Sequence, residues 1–596
     1  GVIVLKRLSD AERAGDRVLA VLRGGAVVHN GFTGGITSPS GKAQSRVIHE
    51  ALDDAGLAPS QVQYLEAHGT GTELGDPMEL GAAAAVYGRG RKRDEPLLVG
   101  SVKANISHLE AAGGISGLIK TVLCLHHGLI PPQANFEEPS PHVPWQRLPV
   151  KVVTESTPWP KTEERVAGVT ALGLVGTNAH VIVSRASSTT ASDSESEQEL
   201  NPDSTRETGS NLLVLSARSD DALQELADRY RQFLTAHSDI DVSQVCRAAA
   251  IERQHFEHRL ALTAENVEDF ISKLRDSRLL QSNCGVHDGH VVSQPKIAWV
   301  FTDSGTNWDS VARELADTEP VFQDMLARFD ARLAQHLKAT DRPNLSLADH
   351  FASTSVEVNG HQPLPNNFLR FIVQSGLAHI WKAWGSEPDT VLGIGIGQYV
   401  AACVAGGLSF EDALLLVVER EKLFDVSSNG PQEQKAGLDQ FEEFADSLDF
   451  YPPSLQLICS LSGEIVPLHR SLGGSYWREH VTATASPHCF ATLNETQCTQ
   501  VLHLGSDCDI DWHSSESNIV HSLDENRNVR SAMLNALGAM YVVGMNPAFK
   551  ALNADRPRVH VDLPKYPFQK RRFWITEIPQ PDSTADRQEM TVPQGV

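Results

Sequence analysis

A layered α/β architecture is predicted for most of this 596-residue chain on three observations. From residue 19 onward, apolar runs of strand length alternate with amphipathic helical stretches, the pattern of helices packed on a largely parallel sheet. A long stretch rich in Ser, Asp and Glu then divides the chain. Beyond it, VLGIGIGQYVAAC (Val391–Cys403) reads as a strand, a tight glycine turn and the start of a helix, a layout that presents its apex residue at the top of a sheet.

The opening GVIVLKRL reads as a buried strand. Without an initiator methionine, the chain is expected to begin inside a domain, with a segment upstream of it missing. LAVLRGGAVVH (Leu19–His29) is a strand, AQSRVIHEALDDAGL (Ala43–Leu57) an amphipathic helix and VQYLEAH (Val62–His68) a second strand. A helix around Met78–Gly88, a short strand at Leu97–Val99, the apolar helix Ile115–Gly128 and the strand Ala179–Val183 complete this part. Residues 187–211 carry almost no large apolar side chains and cannot bury enough surface to offset ordering, which predicts a flexible linker. LLVLSA (Leu212–Ala217), the helix Asp221–His237 and RLALTAE (Arg259–Glu265) form a small α/β unit, and IAWVF (Ile297–Phe301) opens a second large one. The tail from Pro579 is polar and is expected to be disordered.

The charge balance, 51 Lys+Arg against 75 Asp+Glu for a net −24, argues against nucleic acid or an anionic membrane as partner. No apolar run is long enough to span a bilayer. The eight cysteines are dispersed with no C-x-x-C pair, which predicts a reduced, cytoplasmic setting and no metal site.

Two loops carry chemistry. EAHGTGTELGDPMELGA (Glu66–Ala82) puts His68 at a strand end ahead of small residues that let a ligand approach closely, and SVKANISHLEAAGG (Ser101–Gly114) brings Lys103, Asn105 and His108 before a helix. A lone histidine is more often structural, but two in paired loops suit a reacting carbonyl. HGTGTELGDPMEL, VKANISHLEAAGGISGLIK, IPPQANFEEPSPHVPW and GTNAHVIV together resemble the C-terminal half of the ketosynthase of a type I modular polyketide synthase. The resemblance covers residues 1–183 and implies half of a thiolase-like, layered α/β/α fold, usually homodimeric. It implies that His68 and His108 polarise a malonyl thioester carbonyl, that Lys103 supports them, and that Thr70 and Thr72 contact a phosphopantetheine arm. Asn105 and Glu110 would stand behind this group. The condensing cysteine belongs to the family's N-terminal half, and none of the eight here sits in its motif, so this chain alone is expected not to condense. Three departures add doubt about activity: Leu174 at an aromatic gate, Val175 at a glycine, where its Cβ would obstruct a donor loop or force a glycine-only φ, and Ser107 at the glycine before His108.

The rest resembles a ketosynthase–acyltransferase adaptor (212–290), an acyltransferase (291–550) and the wrapping linker after it (551–578), with 185–211 the flexible linker and 579–596 the tail. Active acyltransferases of α/β-hydrolase type carry serine, histidine and glutamate where this chain has Gly395, Ile394 and Gln398, and a glutamine where it has Ser304. Arg420, 25 positions past the apex, matches a malonyl-binding arginine, and is equally readable as a helix charge. The segment expected to form a ferredoxin-like subdomain with the catalytic histidine is absent between residues 434 and 441. The resemblance therefore implies a truncated, inactive acyltransferase-like domain. GIGIG lacks the G-x-G-x-x-G spacing and the downstream acid of a dinucleotide site. In LPKYPFQKRRFW (Leu563–Trp574) the aromatics would anchor a strap, leaving Lys570, Arg571 and Arg572 wet.

The expected activity is decarboxylative condensation of acyl and malonyl-type thioesters once the missing half is supplied. Its partners would be an acyl carrier protein and a trans-acting acyltransferase, with no cofactor bound directly. The alternative is a non-catalytic docking scaffold for the same partners.

Overall fold

The computed structural model describes residues 1–33, 35, 38–92, 94–162, 164–186, 209–276, 285–303, 307–337, 346–352, 364–426, 431–506, 518–554 and 559–571. The chain divides into two compact units, residues 1–204 and 205–596.

In the first unit, β1 (Ala20–His29), α1 (Gly41–Ala55), β2 (Tyr64–Glu66), α2 (Gly75–Tyr87), β3 (Leu97–Gly100), α3 (Gly113–His127), β4 (Val150–Val152), β5 (Val166–Leu172) and β6 (Thr177–Arg185) follow in order. The strands make one sheet, β1-β6-β5-β2-β3-β4, in which β2 runs parallel to both β5 and β3. Val47, Ile48, Ala51 and Leu52 share one face of α1, the spacing that buries a helix stripe against a sheet. Ser40 caps that helix by accepting from Ala43 N, and Gly56 ends it in the left-handed region. Because Glu66 pairs with Gly100 across β2 and β3, the loops after these strands emerge side by side at their carboxyl ends.

The opening segment departs from expectation. Residues 1–7 form no strand, the helix Leu8–Ala14 follows, and Val2 and Val4 are 89% and 93% exposed. An apolar run becomes a strand only by pairing with another, and none of the described strands pairs with it.

In the second unit, β7 (Asn211–Ala217), α4 (Asp220–Ala236), α5 (Val242–Ile251), β8 (His258–Ala264) and β9 (Val286–His290) make a small antiparallel sheet, β9-β8-β7, backed by helices. A five-stranded parallel sheet follows. It is ordered β12-β11-β10-β13-β14, from β10 (Ile297–Phe301), β11 (Thr390–Gly393), β12 (Gln456–Ile458), β13 (Gln500–Ser506) and β14 (Asn518–Leu523). Helices α6 (Asn366–Ala383), α7 (Gly397–Val404), α8 (Phe410–Val426), α9 (Gly474–Thr482), α10 (Val529–Val542) and α11 (Phe549–Leu552) belong to this unit. Buried Trp299, Phe301, Phe371, Trp381 and Tyr399 sit in one apolar core around the sheet.

Tyr566 packs edge-on against Phe256, and its hydroxyl accepts from Arg218 N at 3.0 Å, so one aromatic of the strap is anchored. Phe568, expected to anchor as well, is 80% exposed. Lys570 and Arg571 are exposed. Arg572, Trp574, the tail and nearly all of the acidic stretch lie outside the described residues.

Candidate functional site

His68 follows the carboxyl end of β2, and Lys103 and His108 follow that of β3. The two imidazoles meet edge to face with ring centroids 5.2 Å apart. Beside them lies a cavity of about 740 Å³ whose walls include Thr70, Thr72, Lys103, Ser107, His108 and Trp145. Small residues in the GTGT loop leave this space open.

Backbone contacts fix both rings. Leu172 N donates to His68 Nδ1 at 3.4 Å, and Glu110 N donates to His108 Nδ1 at 2.8 Å. A ring nitrogen that accepts carries no proton, so in the neutral form each histidine holds its hydrogen on Nε2 and can donate there. Burial pushes His68 down to about 4, helped by the positive charge of Lys103 and by His108, so His68 is neutral at physiological pH. Burial also lowers Lys103, against the pull of Glu79 and Glu66.

Sequence reasoning missed the scaffold beneath these groups. Glu79, fully buried on α2, accepts from His68 N at 2.7 Å and Gly69 N at 2.9 Å, and burial raises it to about 7. Glu66, 1% exposed, accepts from Val102 N at 2.6 Å, Tyr64 OH at 2.7 Å and Lys120 Nζ at 2.8 Å. It thereby ties the second loop to α3. The available signal was an acid inside an otherwise apolar strand, which is buried only when paired.

The remaining expectations divide. Thr70 and Thr72 line the cavity, whereas Asn105 and Glu110 do not. Glu110 nevertheless orients His108 through its own N–H, at φ +48°. Ser107 adopts φ 61°, ψ −176° in place of the family's glycine. Leu174 is exposed, and Val175 does not take the strained conformation expected of it: the positive φ of that loop, +92°, falls on Gly176. One residue's shift moves the demand for glycine off the substituted position.

The elbow of the second unit is built as a strand–turn–helix, β11 to α7, with Gly395 at its apex at φ +55°. Phe301 of β10 pairs with Gly393 of β11, so the loop leaving β10 crosses the turn. There Asp303 Oδ1 accepts from Ile396 N at 2.9 Å. A Cβ built on Gly395 would overlap this carboxylate, far inside van der Waals contact. Asp303 thus fills the volume that an apex side chain requires, and burial raises its pKa against the opposing charges of Arg370 and Arg420. Ile394 packs partly buried beside a small core cluster, and Gln398 is fully buried. Arg420 lies 5.8 Å from the Tyr399 ring centroid. Ser304 lies outside the described residues. Asp303 precedes Ser304 by one residue, and no motif in the sequence singles it out.

Comparison with known proteins follows the same division. The chain matches the beta-ketoacyl synthase C-terminal domain family over residues 19–137, the CurL-like polyketide synthase C-terminal family over 211–274 and the acyl transferase domain family over 298–461. The phenolphthiocerol synthesis polyketide synthase type I Pks15/1 of Mycobacterium marinum is 32% identical over 665 residues, covering 98% of this chain and 31% of its own length. Polyketide synthase GfsA of Streptomyces halstedii is 31% identical, covering 98% of this chain and 9% of its own. This chain belongs to the type I polyketide synthases. Erythronolide synthase EryA3 of Saccharopolyspora erythraea is 38% identical over 431 residues, 71% of this chain and 13% of its own. The chain therefore spans about a third or less of these relatives.

As a polyketide synthase segment it carries a beta-ketoacyl synthase C-terminal domain and an acyl transferase domain. Among the described residues, no helix is long and apolar enough to cross a membrane.

Proposed function

We propose that the first unit supplies the decarboxylating half of a condensing site, and that the acyltransferase domain is catalytically silent. The observation that carries the first claim is the pair of imidazoles whose Nδ1 atoms are both occupied by backbone N–H groups. Two Nε2–H donors can then serve one thioester carbonyl oxygen. The bond between the malonyl α-carbon and its carboxylate breaks, CO₂ leaves, and the electron pair passes into an enolate whose oxygen those donors stabilise. The enolate carbon then attacks an acyl thioester, and the carbon–sulfur bond breaks to release a thiolate. Substrate would be delivered on the phosphopantetheine of an acyl carrier protein, with Thr70 and Thr72 along its path.

Among the described residues no cysteine lines the cavity, and in this reading the acyl-holding thiolate is supplied in the manner of a ketosynthase N-terminal half. Homodimerisation through the ketosynthase accords with this reading. Decarboxylation needs the donors but not the nucleophile, which gives the test. The full chain is incubated with malonyl-loaded carrier protein and acetyl product is measured. His68→Gln and His108→Gln should each slow it by about 10²–10³, the usual cost of one oxyanion donor. Equal rates in wild type and the double variant would refute the reading.

For the second unit, the Asp303 carboxylate at the Gly395 apex supports silence and favours a platform role toward a carrier protein or a trans-acting acyltransferase. Extender units would then be loaded by another enzyme. Exposure to malonyl-CoA should leave residues 291–550 unmodified by mass spectrometry, and an adduct there overturns this part. If His68→Ala in a completed protein leaves product formation unchanged, the platform reading extends to the whole chain.

A further inference from the structure

A cationic groove of about 640 Å³ in the second unit is unused by this chemistry. Arg247, Ile251, Glu252 and Arg253 reach it from the end of α5, and Lys550 and Asn553 from α11. Three cations and one carboxylate thus face a single groove in a chain whose net charge is −24.

Arg247 is its unusual member. The side chain is only 11% exposed, and Nε and Nη1 are buried with no hydrogen-bond acceptor among the described residues. The Glu252 carboxylate stands 3.8 Å from Nη1, close enough for attraction but beyond a hydrogen bond. Buried guanidinium N–H groups without acceptors are unfavourable, so among the described residues the site lacks an oxygen-rich partner. Arg253 and Lys550 are exposed at the rim, on long side chains that can fold over a ligand. A guanidinium fork with a lysine point charge suits a tetrahedral oxyanion.

We propose that this groove binds the phosphate group of a small phosphorylated ligand. Its volume suits a small molecule rather than a protein face. Arg247 is also recessed where an acidic helix laid across the rim would not reach it. The phosphate could arrive on a free nucleotide-type thioester carrier or on a pantetheine arm, and both present the same chemistry.

The test is calorimetric titration of the full chain at low salt with inorganic pyrophosphate, 4′-phosphopantetheine and adenosine 3′,5′-bisphosphate as probes. Saturable one-site binding is expected, weakening as salt is raised. Arg253→Glu and Lys550→Glu, both at exposed positions and expected to fold, should each weaken it at least tenfold, while Arg470→Glu, elsewhere on the surface, should not. Preference for the bisphosphate points to the nucleotide source, and preference for phosphopantetheine to the arm. Absence of binding to all three probes, or binding unaffected by either rim variant, would overturn the proposal. None of these outcomes depends on His68 or His108, so this site and the condensing site stand or fall separately.

Discussion

Ser107 offers the sharpest quantitative check on the ketosynthase loop. At φ 61°, ψ −176° it occupies backbone space that is almost exclusively glycine's, at a cost on the order of 1–3 kcal/mol. Ser107→Gly removes that strain but gives the unfolded chain more freedom, which returns about 0.4–1 kcal/mol. The side chain is exposed, so losing it sacrifices little packing. The net expectation is a stabilisation of about 1 kcal/mol, or ~2–4 °C for a unit of this size. Ser107→Ala serves as the control, since it removes the hydroxyl but keeps the strained φ, and it should leave stability within about 0.5 kcal/mol of wild type. Hydrogen exchange of the β2 and β5 amides along a urea gradient isolates the first unit from the second. If Ser107→Gly matched the alanine variant, or destabilised the unit, the backbone at this position would not be under strain and the reasoning would fail.

Three further outcomes are expected. Gly395→Ser should destabilise the second unit by about 2–4 kcal/mol, because the new side chain meets the Asp303 carboxylate and holds an unfavourable φ; Asp303→Gly added to it should recover much of that loss in urea midpoint. Lys120→Met should cost the first unit about 3–5 kcal/mol by stranding the buried Glu66 carboxylate, read by the same exchange experiment. Burial pushes His180, His480 and His503 each down to about 3, below the unfolded value of 6.5. The unfolded chain therefore binds more protons below pH 6.5. Stability is complete above that point and falls on acidification toward pH 3, by about 1.4 kcal/mol per pH unit for each histidine. With His480 and His503 both in the second unit, its urea midpoint should fall between pH 5.5 and 4.5, and a flat profile there would contradict the burial.

Much of the fold was legible because periodicity reports burial directly. The strand Ile297–Phe301 and the helix over 220–236 fall where apolar spacing puts them, since in each case the buried face and the sequence pattern are the same fact. The opening GVIVLKRL misled for the opposite reason: apolar content marks a segment that needs a partner, but does not provide one. At the site, His68, His108, Thr70 and Thr72 were recoverable from motifs, while Glu79 and Lys120 were not. Glu79 turns back to the backbone of the preceding loop and Lys120 reaches Glu66 and Tyr64 more than fifty residues away, and nothing local distinguishes either from a surface charge. The strained φ expected at Val175 was missed by a single-residue offset, because which residue of a turn takes positive φ depends on the pairing of β5 with β6.

The carboxylate resting on the elbow also bears on which substitutions the turn tolerates. Placing a serine at the apex takes two changes, and either one alone is unfavourable: serine first collides, while removal of the acid first leaves Ile396 N without its acceptor. Such a pair of mutually blocking steps acts as a ratchet. Folding stability alone therefore opposes each single step toward an apex serine, and only the paired change seats that serine without the collision.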